Sequence, residues 1–186
     1  MNLIATTIPE VLLIEPKVFT DSRGFFLESW QQQRYATHGI PGPFVQDNLA
    51  ASERGVLRGL HIQNPNAQGK LVQVIVGQVF DVAIDIRLGS PWFGKWVGVN
   101  LDDVNKRQFW VPPGFAHGYY VMSERAIFSY KCTELYYPQY EFSLRWDDPQ
   151  IAIEWPFAGT PLLSTKDQTA VFLKDLDTKR LPIYVK

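Results

Sequence analysis

One cysteine, Cys132, is all the chain contains. That excludes an intrachain disulfide framework and fits a reducing compartment. An excess of charge of one sign is missing too: 18 Lys and Arg against 19 Asp and Glu give a net charge of −1 and a pI of about 6.3. No global basic field is present to recruit nucleic acid or a membrane surface, so any anionic ligand has to be held by a local cationic pocket. Long apolar runs are absent, and none approaches the roughly 18 residues that cross a bilayer. Residues 1–15 lack the basic region and long apolar core of a signal peptide. No repeat, linker or low-complexity segment interrupts the sequence. The expectation is a soluble, cytoplasmic protein with neither a nucleic-acid nor a membrane partner.

What is there suits a single domain over 1–186. The 186 residues are 46% hydrophobic and 14% aromatic, enough to bury a proper core and too apolar for a disordered chain. Leu71–Val76 is a nearly continuous apolar run broken by Gly77. Val79–Arg87 then alternates, with Phe80, Val82, Ile84 and Ile86 on one face and Asp81, Ala83, Asp85 and Arg87 on the other. Further strands are expected at Trp96–Leu101, Arg107–Val111, Gly118–Met122, Ala126–Lys131 and Phe142–Arg145. Turn signals recur about every ten residues, the pattern of an antiparallel sandwich or jelly roll rather than of βαβ units. Residues 3–20 read as short extended pieces and Asp21–Gly24 as a turn. Phe25–Trp30 reads as a strand, Gln31–His38 as a helix ended by Gly39, and Phe44–Asn48 as extended. One short helix is expected near Gln168–Asp175.

Two stretches carry chemistry. The first runs from Arg54 through Gly55, Arg58, Gly59 and His61 to Lys70, gathering one histidine and several cations around two glycines that let the backbone turn or approach a ligand. A histidine flanked by fixed cations suits proton transfer on an anionic substrate. The same residues read equally as a satisfied histidine on a sheet edge among solvated arginines. The second stretch is Val111–Gly118, where Pro112, Gly114 and His117 form P-x-G-x-x-H on a tight turn between strands.

With Gly55 and His61 in G-x5-H spacing, the two stretches resemble the two halves of the cupin signature, which implies a mainly β, antiparallel jelly-roll barrel (a double-stranded β-helix) with a few short helices. A metal-binding cupin offers H-x-H followed by a glutamate. Here Gln63 stands at the second histidine and no suitably spaced glutamate follows. His61 and His117 without a third ligand make a poor transition-metal site, and His38 lies in the expected helix with no supporting motif, so the barrel is expected to be metal-free.

The full ordered set is more specific. Arg23-Gly24-Phe25-Phe26-Leu27-Glu28-Ser29, Phe44-Val45-Gln46-Asp47-Asn48, Val56-Leu57-Arg58-Gly59-Leu60-His61, Gln68-Gly69-Lys70-Leu71-Val72, Gly114-Phe115-Ala116-His117-Gly118 and Leu163-Ser164-Thr165-Lys166-Asp167 follow one another along nearly the whole chain. Together they resemble the dTDP-4-dehydrorhamnose 3,5-epimerase family. The resemblance implies cofactor-independent epimerisation at C3 and C5 of a dTDP-4-keto-6-deoxyglucose, in dTDP-L-rhamnose biosynthesis. It implies His61 as general base, Asp167 as the carboxylate that orients it, Lys70 beside the C4 oxygen and Tyr130 as the acid on the opposite face. It further implies Arg23, Arg58 and Lys166 at the pyrophosphate or base, Glu28, Gln46 and Asn48 as polar contacts, Tyr136 stacked on thymine, and His117 and Glu141 as binding positions. A homodimer is implied as well, with the jelly-roll core at about 44–146, N-terminal strands within 1–43 in the interface and a tail over 147–186.

Each role has a plainer counterpart. Tyr130 is equally a barrel-lining aromatic with a satisfied hydroxyl, Asp167 a helix first-turn residue, and Arg23 and Glu28 a surface pair. Ile62, Leu49 and the loop 64–67 depart from the commoner family pattern without touching the proposed acid–base set. Other readings of the same barrel are a single-centre epimerase or keto-isomerase of another deoxysugar pathway, and a non-catalytic nucleotide-sugar-binding cupin.

Overall fold

The computed structural model describes residues 1–157 and 159–185. Its strands are β1 (Asn2–Ala5), β2 (Leu12–Glu15), β3 (Val18–Asp21), β4 (Gly24–Leu27), β5 (Gln46–Glu53), β6 (Leu57–Gln63) and β7 (Lys70–Val76). They continue as β8 (Gln78–Asp85), β9 (Trp96–Asp102), β10 (Gln108–Val111), β11 (Phe115–Val121), β12 (Arg125–Cys132) and β13 (Glu141–Ser143). Two short helices, α1 (Gln32–Ala36) and α2 (Thr165–Gln168), complete the regular structure apart from single 3-10 turns. One sheet runs β1-β2-β10-β7-β12-β5, the other β13-β6-β11-β8-β9, and β3-β4 forms a separate hairpin. All of these pairings are antiparallel, as the turn spacing predicts.

The two sheets face each other across the main core. Val79, Ala83, Phe115, Tyr119 and Val121 from one wall meet Val72, Val74, Phe109, Ala126 and Phe128 from the other. Each large apolar side chain buried there contributes roughly 1.5–3 kcal/mol. The outer face of the five-stranded sheet, carrying Val82, Ile84 and Ile86, is covered by Ile151, Leu173, Leu176 and Leu181 of the tail. The outer face of the other sheet packs Leu71 and Trp110 under Tyr35 of α1 and Ile40. Strand β8 is thus buried on both faces, and its alternation separates two cores rather than core from solvent.

Most expected strands lie on β7 to β13 within a few residues. Three readings need correction. Residues 57–63, where Gly59 is read as letting the backbone turn or approach a ligand, form a full strand, and His61 sits between β11 and β13 rather than on a sheet edge. The tail helix forms earlier than 168–175: Ser164 caps the helix Thr165–Gln168, and only a 3-10 turn, Leu173–Asp175, occupies the later span. The expected helix Gln31–His38 is shorter, with His38 in the turn that follows it.

Propensity fails at 57–63 because Gly59 serves packing. Strands β6 and β11 approach so closely that a Cβ on Gly59 would lie 2.6 Å from the Gly118 Cα and 2.9 Å from the His117 carbonyl oxygen. The φ of +131° at Gly59 belongs to glycine as well. The register shifts at this point, between His117 and Tyr119, and leaves His117 directly opposite His61. Gly59→Ala is expected to destabilise the fold by about 3 kcal/mol through backbone overlap and an unfavourable φ. Urea unfolding of the variant beside the unsubstituted protein measures this.

Candidate active site

The inward row of each strand begins apolar and ends polar. On β7, Val74 and Val72 belong to the core and Lys70 is the next residue on that face. On β12, Ala126 and Phe128 lead to Tyr130 and Cys132. On β11, Val121 and Tyr119 lead to His117. The cross-strand register puts Ser143, His61, His117 and Ala83 side by side on one wall. On the facing sheet, Cys132 pairs with Lys70 and Gln46, and Tyr130 pairs with Val72 and Asn48.

His61 and Asp167 meet across 106 residues: His61 Nε2 and Asp167 Oδ1 are 2.6 Å apart. Hydrogen bonds from Leu162 to Gly55 and from Leu57 to Leu162 lay the tail beside the start of β6. The Ser164 cap then turns α2 over the imidazole. Ser164 Oγ accepts the Asp167 backbone N–H at 3.2 Å and donates to Asp167 Oδ2 at 2.8 Å. Asp167 is 4% exposed. Burial alone would raise its pKa, but hydrogen bonds from His61, Ser164 and the Gly59 backbone, with the His61 charge, hold it below 3.8. With Nε2–H given to the carboxylate, Nδ1 is left as the basic nitrogen, 4.0 Å from Glu141 Oε1.

Glu141 binds the Lys166 ammonium closely and accepts the Tyr136 hydroxyl at 2.7 Å. Burial pushes its pKa up, and these two partners and His61 more than reverse this, leaving it lowered. Tyr136 is raised to about 12, first by that hydrogen bond. Its ring, 48% exposed, stays open to a stacking partner. Gln46 Oε1 accepts the Tyr136 backbone N–H at 2.9 Å, and Gln46 Nε2 donates to Asn48 Oδ1 at 3.0 Å. Gln63 staples the same loop, accepting from Tyr137 N and donating to the Leu135 and Asn66 carbonyls.

Burial lowers Lys70 from its ordinary 10.5, opposed by charge on Cys132, Glu141 and Asp81, and its ammonium forms no ion pair among the described residues. Burial drives Tyr130 up to about 12, which keeps its phenol protonated near neutrality. Arg58 reaches back to β5, its Nε 2.9 Å from Ser52 Oγ. A cleft lined by Leu57, Arg58, His61, Leu163, Ser164 and Asp167 opens beside the imidazole.

The chain thus gathers His61, Asp167, Lys70, Tyr130, His117, Gln46, Asn48, Arg58, Tyr136, Glu141 and Lys166 at one end of the barrel. It does not bring Arg23 or Glu28 there. Arg23 is on the exposed β3–β4 hairpin, paired with Asp21, and Glu28 pairs with Arg34. Asp81 escaped the sequence reading as a site residue. It is fully buried, takes a 2.8 Å hydrogen bond from His117 Nε2, and leaves Oδ2 without a partner. An acidic residue on the inward face of an alternating strand was the available signal. Ser164, Ser52 and Gln63 were also missed as site residues: Gln63 bonds Leu135 and Tyr137 more than seventy residues away, while the contacts of Ser164 with Asp167 and of Ser52 with Arg58 are local but carry no sequence signal of their own.

A family model described as dTDP-4-dehydrorhamnose 3,5-epimerase matches residues 5–175. The chain belongs to that family. It is 57% identical over 175 residues to the Salmonella typhimurium dTDP-4-dehydrorhamnose 3,5-epimerase, covering 93% of this chain and 96% of the relative. The Pseudomonas aeruginosa enzyme of the same name is 52% identical over 178 residues, covering 95% and 98%. The crystal structure of the Legionella pneumophila 3,5-epimerase in complex with dTDP-4-keto-L-rhamnose superposes with a TM-score of 0.97. That protein is 56% identical, and the match covers 100% of this chain and 99% of the other. The fold of this family member is the cupin-like epimerase barrel.

The depressed Asp167 carboxyl stabilises the folded state above pH 3.8, and that contribution is lost as the pH falls through its lower folded value. Asp167→Asn is therefore expected to be less stable than the unsubstituted protein at pH 7, with the gap closing below pH 3.8. Urea midpoints of both proteins across this range report it.

Proposed function

We infer that this chain epimerises dTDP-4-dehydro-6-deoxy-D-glucose at C3 and C5 to dTDP-4-dehydro-L-rhamnose, without a redox cofactor. Its family membership sets the reaction class. The observation that carries the assignment of roles is the placement of His61 and Tyr130 on opposite walls of one barrel. A sugar held between the sheets presents one face to the imidazole and the other to the phenol.

A hydrogen α to the C4 ketone leaves as a proton to His61, and the electron pair moves into the ketone to form an enolate. Lys70 balances the charge developing on the C4 oxygen, where a fixed ammonium in a dry site acts most strongly. Tyr130 then returns a proton to carbon from the other face, which inverts the centre. Its raised pKa supports a role as donor. Transfer of the proton from His61 to solvent and reprotonation of Tyr130 restore the enzyme. The same cycle at the second carbon flanking the ketone gives the doubly inverted sugar. Asp167 keeps Nε2–H bonded, so that Nδ1 is free to take the proton. The diphosphate falls to Arg58 and Lys166, thymine to Tyr136, and polar contacts to Gln46, Asn48, Glu141 and His117.

A homodimer completes this reading. The β3–β4 hairpin exposes Phe19, Phe25 and Phe26, and Leu49, Ile75 and Val76 lie exposed on the six-stranded sheet. Such exposed apolar side chains suit a second copy, whose site would receive Arg23 and Glu28.

In D₂O the enzyme is expected to place deuterium at both C3 and C5, followed by NMR. Incorporation at one carbon alone marks a single-centre epimerase, and at neither overturns the reading. His61→Ala is expected to abolish exchange. Tyr130→Phe is expected to lower inversion by about 10²–10⁴ while exchange survives better.

A further inference from the structure

The nucleotide end relies on one cation without an acidic partner among the described residues. Lys166 is paired with Glu141 and Arg23 with Asp21, whereas Arg58 forms no ion pair among the described residues. Its guanidinium is held by neutral oxygens of β5. Nε donates to Ser52 Oγ at 2.9 Å and a terminal nitrogen reaches the Ala51 carbonyl at 3.4 Å.

Ser52 is 7% exposed, while its neighbours Ala51 and Glu53 face solvent. Alternation along β5 puts it on the same inward row as Gln46 and Asn48. Arg58 comes from β6, the strand of His61. The contact therefore crosses between the two sheets, with Ser52 opposite Ala126 of β12 and Arg58 lining the cleft that also holds His61. Beside it lies the buried Tyr119 hydroxyl, whose pKa burial raises against the Arg58 charge and the nearby Ser52 hydroxyl.

We propose that Ser52 is a positioning residue for phosphate recognition, whose neutral hydroxyl fixes the Arg58 guanidinium against β5 and leaves its full charge for the diphosphate of the ligand. The identity of that ligand rests on the epimerase reading above. A carboxylate at this position would hold Arg58 more firmly but would compete with the phosphate for the same charge. An apolar residue would leave the charge intact and its direction free, so that the guanidinium would lose rotamer entropy on every binding event. Serine orients the fork without neutralising it. Lysine in place of Arg58 has no Nε donor and cannot use this anchor.

Calorimetric titration of the full chain with thymidine diphosphate tests the proposal without requiring turnover. Ser52→Ala is expected to weaken binding about tenfold, the loss of one hydrogen bond to a charged group. Ser52→Thr is expected to recover most of it, and Ser52→Asp to bind more weakly than Ser52→Ala. With the nucleotide sugar, Ser52→Ala should raise KM while kcat changes by less than about threefold. In an Arg58→Lys background, Ser52→Ala should add less than about twofold, whereas a merely structural serine would cost the same in both backgrounds. Unfolding midpoints check that each variant is folded. Unchanged affinity in Ser52→Ala, full additivity with Arg58→Lys, or tight binding by Ser52→Asp overturns the proposal. Absence of epimerisation in the unsubstituted chain, with the binding pattern intact, would strike the epimerase reading alone.

Discussion

Every inward side chain of a β-barrel competes for one enclosed volume, because residues alternate with period two and the strands cannot rotate independently. This protein divides that volume lengthwise. Phe128 sits at the division. It stacks on Tyr119 at 4.1 Å and lies 6.3 Å from His117, with Tyr130 as the next inward residue on its own strand. On one side the row is aliphatic and holds the sheets together. On the other, the same strands at the same spacing carry Lys70, Tyr130 and His117. The positions of the site side chains are therefore set by the strands that build the core.

A second support comes from outside the barrel. The tail covers the outer face of the five-stranded sheet with Ile151, Leu173, Leu176 and Leu181, and on its way it delivers Asp167 to His61. The segment that seals one hydrophobic surface thus also sets the imidazole tautomer. Ser164 makes that delivery specific, since it caps the helix and bonds the Asp167 carboxylate at once. Gln63 does similar work across the barrel mouth, using its side-chain amide to hold the loop that carries Tyr136.

Much of this was legible in the sequence. Alternation in 79–87 and regular turn spacing give the antiparallel class, and the ordered motifs lead to the family. The strand at 57–63 was hidden because Gly59 argues locally for a turn, while its reason is the closeness of Gly118 almost sixty residues later. Asp81 was visible as an acid on the strand face opposite Phe80, Val82 and Ile84, but neither as inward nor as the partner of His117, since that depends on the β8–β11 register. Arg23 and Glu28 show the opposite limit. They stand in the family's motif, yet a single chain keeps them on its surface hairpin, occupied with Asp21 and Arg34.

Glu141 links the two ends of the site through a shared carboxylate. One oxygen holds Lys166 and Tyr136, and the other lies 4.0 Å from the free nitrogen of His61. The ammonium of Lys166, proposed above to meet the diphosphate, is therefore already paired within the chain. A phosphate that takes Lys166 exchanges one ion pair for another and gains little net charge compensation. What it does change is Glu141, whose carboxylate is then left with the Tyr136 hydroxyl as its close partner and His61 Nδ1 at 4.0 Å.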